Sequence, residues 1–154
     1  MDPSTIGFVE CHATGTPVGD ASEIDALKRV YGEAAHPILL GSAKAFVGHL
    51  RGAAGAVGML RAIQALGSGV VPAQLGFERA CELSIPDDSP LRVPKRATEL
   101  SPVGGCAVRR AAVSAFGFGG IGYHVVLEAY APAADVLVRL LEEDDTAMAV
   151  WFLL

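Results

Sequence analysis

Two histidines stand at matched places in this chain. His12 lies in VECHATGTPVGD (9–20) and His49 in SAKAFVGHLRGAAG (42–55). Each follows a short apolar run and precedes a glycine-rich helix start. In layered α/β folds, sites assemble at the carboxyl ends of strands. If the two runs are neighbouring strands, both rings face one pocket. Two imidazoles can then donate N–H bonds to one oxygen and stabilise charge developing on a carbonyl. Either ring can instead move a proton near neutral pH. The plainer alternative is an isolated, hydrogen-bonded histidine at each turn. Lys44 lies five residues before His49. It could hold an anion or bias a ring's protonation, or be an ordinary lysine at a strand end.

Other candidates are weaker. His36 falls in a polar loop and His124 within a strand, where a structural role is expected. No spaced cysteine or carboxylate cluster accompanies the histidines, so no metal site is expected. FGFGG, Phe116 to Gly120, sets three glycines among two phenylalanines. Its glycines permit left-handed backbone and bare N–H groups. Its aromatics could wall an acyl pocket or simply anchor a hairpin. It is no dinucleotide fingerprint, because a strand-like HVVLEAY follows it instead of a helix. Cys11 adjoins His12, but neighbours on a strand point to opposite faces. Cys81 and Cys106 have no evident basic partner to activate a thiol.

These residues must be positioned by regular elements. Ile6 to Cys11 reads as a buried strand. Asp20 to Tyr31 reads as a helix with Asp20 as N-cap, Glu23 at the capping-box position and Gly32 as stop. Ile24, Leu27, Val30 and Tyr31 are expected on its inner face. Pro37 to Gly41 is a second strand candidate. Gly52 to Leu66 reads as a helix whose first half is glycine and alanine, with Met59, Leu60, Ile63 and Leu66 adding bulk later. Each glycine costs such a helix about 1 kcal/mol against alanine. Something must therefore pack close to its backbone, and a central helix buried between layers is expected. The stretch from Gly67 to Pro102 is punctuated by prolines and reads as loops, with a possible short helix near Phe77 to Cys81. Arg110 to Phe116 and Tyr123 to Tyr130 read as two antiparallel strands joined by GFGGIG. The order β-α-β-α-loop-β-β predicts a layered α/β fold with a mixed sheet. Residues 1–130 form the domain, and 131–154 read as a linker or tail with a possible short helix at Asp135 to Glu143.

Composition agrees. The chain has 154 residues, 51% of them hydrophobic and 19% charged, which argues against disorder and suffices for one modest core. Net charge is −5, from 12 basic and 17 acidic side chains, with no basic tract, so nucleic acid is not an expected partner. The odd cysteine count without CxxC spacing suggests reduced thiols. The N-terminus has no signal-peptide pattern. The apolar end, Ala147 to Leu154, is too short to span a bilayer. No membrane association and a cytoplasmic location are the expectation.

Three stretches together resemble the C-terminal half of a β-ketoacyl synthase, the condensing domain of polyketide and fatty-acid synthases. The family writes VEAHGTGTPLGDPIE where this chain has VECHATGTPVGDASE, KSNIGHTEAAAG against KAFVGHLRGAAG, and SSFGFGGTNAHVVLE against SAFGFGGIGYHVVLE. The resemblance covers about Ile6 to Tyr130. It implies the thiolase-like layered fold, C-terminal half only. It implies that His12 and His49 are the catalytic pair that helps decarboxylate a malonyl-type extender and stabilises the enolate, with Lys44 in support. Thr14, Thr16, Phe116, Phe118, Gly119 and Gly120 fall in the substrate-binding and gating stretches. Phe118 matches the gating aromatic and its backbone an oxyanion-hole N–H, whereas Phe116 is expected to pack. No cofactor is implied. Substrates ride on the phosphopantetheine of an acyl carrier protein, and the implied partners are that carrier and an N-terminal ketosynthase half or partner ketosynthase chain, dimeric when complete.

The departures shape the expected activity. The elbow bearing the family's nucleophilic cysteine has no counterpart here. Ala45, Phe46, Leu50, Arg51, Ile121, Gly122 and Tyr123 replace family residues, several of them polar. One reading is a ketosynthase part that supplies the histidines but not the cysteine. The alternative is an inactive remnant or partner subunit that binds a carrier or another ketosynthase. A thiolase-like acetyl transferase fits less well, because Ser114 and Ala115 stand where thiolases place a cysteine.

Overall fold

The computed structural model describes residues 1–78, 85–86 and 88–130. After a 3-10 turn at Pro3–Thr5, the chain forms β1 (Phe8–Glu10), α1 (Pro17–Tyr31), β2 (Ile38–Gly41) and the short α2 (Lys44–Val47). A second 3-10 turn at Arg51–Ala53 leads into α3 (Ala54–Ser68). Then come β3 (Val70–Val71), β4 (Leu91–Arg92), β5 (Thr98–Glu99), β6 (Arg110–Phe116) and β7 (Gly122–Glu128). The main sheet has the order β4-β2-β1-β6-β7. Its first three pairings are parallel and β6–β7 is antiparallel, which gives the expected mixed sheet. β3 and β5 form a separate antiparallel pair in the stretch expected to be loop.

The central strands are apolar on both faces because helices cover both. Ile6, Val9, Cys11, Ile38 and Leu40 pack with Leu27 and Tyr31 of α1. Phe8, Leu39, Ala111 and Val113 pack with Ala62, Ala65 and Leu66 of α3. β1 and β2 run side by side with Glu10 opposite Gly41. Both histidine-bearing loops therefore leave the same end of the sheet.

Several local expectations need correction. Helix α1 begins at Pro17, because proline at a first helical position loses no hydrogen bond. Thr16 takes the N-cap place without a side-chain cap, and Asp20 lies inside the first turn. Gly32 ends the helix as expected. Val30 faces outward and Glu23 takes an inward place beside Leu27 and Tyr31. Helix α3 buries Gly58, Ala62, Ala65 and Leu66, while Leu60 and Ile63 on its other side are 55% and 48% exposed. Among the described residues it is covered on one side and not sandwiched. Phe77 and Glu78 are not helical. The rest of the helix expected there, Cys81 and the whole of 131–154 lie outside the described residues.

Candidate active site

The structure brings His12 and His49 together. Their ring centroids are 5.7 Å apart with planes at 88°. Phe116 lies 5.2 Å from the His12 ring and packs against it as its aromatic neighbour. Phe118 points wholly into solvent at the tip of the Gly117–Ile121 turn and touches neither ring's surroundings in this chain. That turn is closed by the Gly117 N–H donating to the Ile121 carbonyl at 2.7 Å. Gly119 and Gly120 hold φ values of 83° and 82°, a conformation that side chains resist.

The backbone fixes how each ring can carry its proton. The Phe116 N–H donates to His12 Nδ1 at 3.3 Å. The Arg51 N–H donates to His49 Nδ1 at 3.2 Å. A backbone N–H can only donate, so both Nδ1 atoms must be unprotonated acceptors. Each neutral ring then carries its hydrogen on Nε2. His12 is held below the ordinary histidine range, first by burial, then by the nearby charges of Lys44 and His49. It is therefore neutral over a wider pH range than a free histidine.

Side chains given no site role in the sequence hold the roots of both loops. Glu23 accepts from the His12 and Ala13 N–H groups, one on each carboxylate oxygen, at 2.8 Å. This displaces its expected capping-box role, because the chain leaving β1 passes over α1 with two bare donors. At the exit of β2, the Ala43 N–H donates to Glu10 of β1 at 2.6 Å, and the Gln74 amide bonds both the N–H (2.8 Å) and carbonyl (3.1 Å) of Ser42. A buried carboxylate so close to a sequence-predicted site was a signal available from VE-C-H alone. Gln74 gave none. Burial pushes both Glu10 and Glu23 above the usual carboxylate range, against the opposing pull of these bonds.

Lys44 opens α2 and is half-buried, which lowers its ammonium from the ordinary value against the pull of Glu10, Glu23 and Asp20. It lines a cavity of about 400 Å³ shared with Cys11, Thr14, Asp20, Glu23 and Phe77. Neither histidine lines this cavity, so it is a neighbour of the paired rings and not their pocket. Thr14 is exposed at its rim and Thr16 is exposed at the α1 N-cap. Cys11 is buried and its thiol is pushed well up by burial, which makes it a poor nucleophile. His36 Nε2 bonds the Ile6 carbonyl, and His124 bridges Ser114 Oγ and the Tyr31 hydroxyl, both structural arrangements. Among the described residues no group of His, Cys, Asp and Glu is arranged to hold a metal ion. Nor is any described helix long and apolar enough to cross a membrane.

Residues 1–78 match the family model of the β-ketoacyl synthase C-terminal domain. The chain belongs to the β-ketoacyl synthase family. Its C-terminal ketosynthase half has the thiolase-like α/β fold, and the solved ketosynthases it resembles share it. The ketosynthase from module 6 of the bacillaene synthase of Bacillus subtilis 168 is 35% identical with a TM-score of 0.76, over 85% of this chain and 24% of that one. Among curated relatives, a mycocerosic acid synthase-like polyketide synthase of Mycolicibacterium smegmatis is 44% identical over 83% of this chain. The polyketide synthase component of lovastatin nonaketide synthase of Aspergillus terreus is 34% identical over 90% of it. The ketosynthase sequence here spans only 6% and 5% of those two relatives.

Proposed function

We propose that this chain supplies the two-histidine part of a ketosynthase site for decarboxylative Claisen condensation. The observation that carries this reading is the matched pair of backbone donors on the two Nδ1 atoms, which leaves two Nε2–H groups to converge on one oxygen. A malonyl-type thioester on the phosphopantetheine of an acyl carrier protein would place its thioester oxygen there. Breaking the bond to the carboxylate releases carbon dioxide, and the bonding electrons pass into the thioester as an enolate. Two N–H donors stabilise the developing oxyanion in place of water. The enolate carbon then attacks the carbonyl of a second acyl thioester. The tetrahedral intermediate collapses, expels the nucleophile's thiolate and leaves the new carbon–carbon bond.

The acyl group in that second step must be held on a nucleophile. Cys11 does not suit it, being buried with a raised thiol. In this reading the nucleophile comes from a further ketosynthase half, and the exposed Leu60, Ile63, Phe46 and Val47 side of α3 and α2 supports docking of such a half. The replacements around His49 favour a second reading, a partner subunit that binds a carrier without chemistry.

Carbon dioxide release from a malonyl-carrier substrate, with and without an added N-terminal ketosynthase half, separates the readings. The proposed function expects release on complementation. It also expects loss of at least about a hundredfold in His12→Ala or His49→Ala, the usual scale for a lost oxyanion donor. Carrier binding with no release in either case would leave only the partner role.

A further inference from the structure

We propose that the buried Glu10–Arg61 ion pair is a positioning device that holds the His49 loop against the His12 strand and so sets the spacing of the two imidazoles. This rests on reading the two rings as the reacting pair. Glu10 lies two residues before His12, and its side chain is 2% exposed. One carboxylate oxygen takes the Ala43 N–H, at the root of the His49 loop. The other takes Arg61 Nη1 at 2.5 Å, from the middle of α3. The Arg61 guanidinium also lies over two rings, 5.4 Å from Phe8 of β1 and 5.5 Å from Phe46 of α2. One ion pair thus touches β1, β2's exit, α2 and α3, the elements that carry or flank both histidines.

The surroundings are shaped to admit it. A Cβ on Gly41 would lie 2.5 Å from Arg61 Nη1, and one on Gly58 would lie 3.0 Å from Glu10 Cγ. Two glycines therefore leave room for the pair, one on a strand and one in a helix interior where glycine is unfavourable. Stability alone does not explain the pair, since desolvating two charges is costly and apolar residues of like volume often do as well or better. Arg61 Nη2 is buried with no hydrogen-bond partner among the described residues, which leaves the guanidinium fork half used there. What the pair supplies that an apolar pair would not is direction: one carboxylate fixed at two ends, with Ala43 and Arg61 on separate oxygens.

The test uses the full 154-residue chain labelled with nitrogen-15 at histidine, at about pH 8, where histidine is ordinarily neutral. Ring-nitrogen spectra report the tautomer, and a through-space cross-peak reports ring–ring proximity. The double variant Glu10→Gln with Arg61→Met keeps an acceptor for Ala43 and an apolar stem beside Phe8, and removes the ion pair together with the guanidinium that lies over Phe8 and Phe46. The expected result is a thermal midpoint within about 5 °C of wild type together with loss of the His12–His49 cross-peak and of the single Nε2–H tautomer at His49. A folded double variant with the ring signals of wild type overturns the proposal. Should that variant fail to fold, Glu10→Gln alone decides by the same criterion, since it removes the carboxylate charge that Arg61 meets and keeps an acceptor for Ala43. A wild type that lacks the Nε2–H pattern at both rings sinks the oxyanion reading instead, while the cross-peak still judges the positioning.

Discussion

The two histidine loops leave adjacent strands at the same end of the sheet, yet the chain secures them differently. The His12 loop is fastened at the residue that matters. Glu23 holds the N–H of His12 and of Ala13, Phe116 braces the ring, and the imidazole is partly buried. The His49 loop is fastened at its root, where Glu10 and Gln74 hold Ala43 and Ser42, six and seven residues earlier. From Ala45 to Arg51 the side chains are exposed, and His49 itself relies on the Arg51 N–H two residues on. One ring is preorganised by its own chain. The other is aimed by backbone and lies open to solvent. Such a difference suits a site whose remaining wall comes from a second body, since a ring that meets that body gains its final order on docking.

Breaking the stronger anchor gives the largest expected effect. Glu23→Gln offers one acceptor oxygen where two N–H groups now donate, and its amide hydrogens would face the second donor. The loss should be about 1.5–3 kcal/mol, the range for a bond to a charged group, read by urea unfolding. Hydrogen exchange should quicken at His12 and Ala13 and stay unchanged at Ala43. Equal quickening at both loops would show that the two are not independently fastened.

A smaller effect is expected one residue on. Ala13 holds φ at 33° and Arg51 at 52°, so each histidine is followed within two residues by strained, non-glycine backbone. The related motif writes glycine at the position of Ala13. A left-handed residue with a side chain costs about 1–2 kcal/mol, partly offset by the greater freedom glycine loses on folding. Ala13→Gly should therefore stabilise the chain by up to about 1 kcal/mol, measured by the same unfolding experiment, with the His12 tautomer unchanged. A loss of stability would mean that Glu23 has relaxed the strain that the backbone angle implies.

Much of this architecture was legible in sequence. The apolar runs gave β1, β2, β6 and β7, and the turn at Phe116 to Gly120 gave the antiparallel hairpin. The matched seams at His12 and His49 announced the paired rings. Side-chain-to-backbone clamps were not legible, because Glu23 carries the same helix-start signature whether it caps its own helix or reaches back to another loop. Nor was the one-sided cover of α3. A run of small residues signals close packing, but it does not say whether the packing body lies in the same chain. The short pair β3–β5 is not legible either, because two-residue strands carry no period to read.

The finest test of the comparison asks which neighbours set the His12 ring apart electrically. Its depressed titration comes first from burial, next from Lys44 and least from His49. Lys44→Met removes a positive charge that opposes protonation, so the His12 midpoint should move up toward the ordinary 6.5 while remaining below it. His49→Gln should move it the same way by less. The sign carries over to stability. With the folded midpoint depressed, the unfolded chain binds more protons just below 6.5, so His12's contribution is lost as pH falls from 6.5 through the folded midpoint. Lys44→Met should shrink that acid-side loss. A nitrogen-15 titration of the His12 ring in the three proteins measures all of this. A His12 midpoint indifferent to Lys44 would mean that the ammonium turns away, toward the cavity it shares with Asp20 and Glu23.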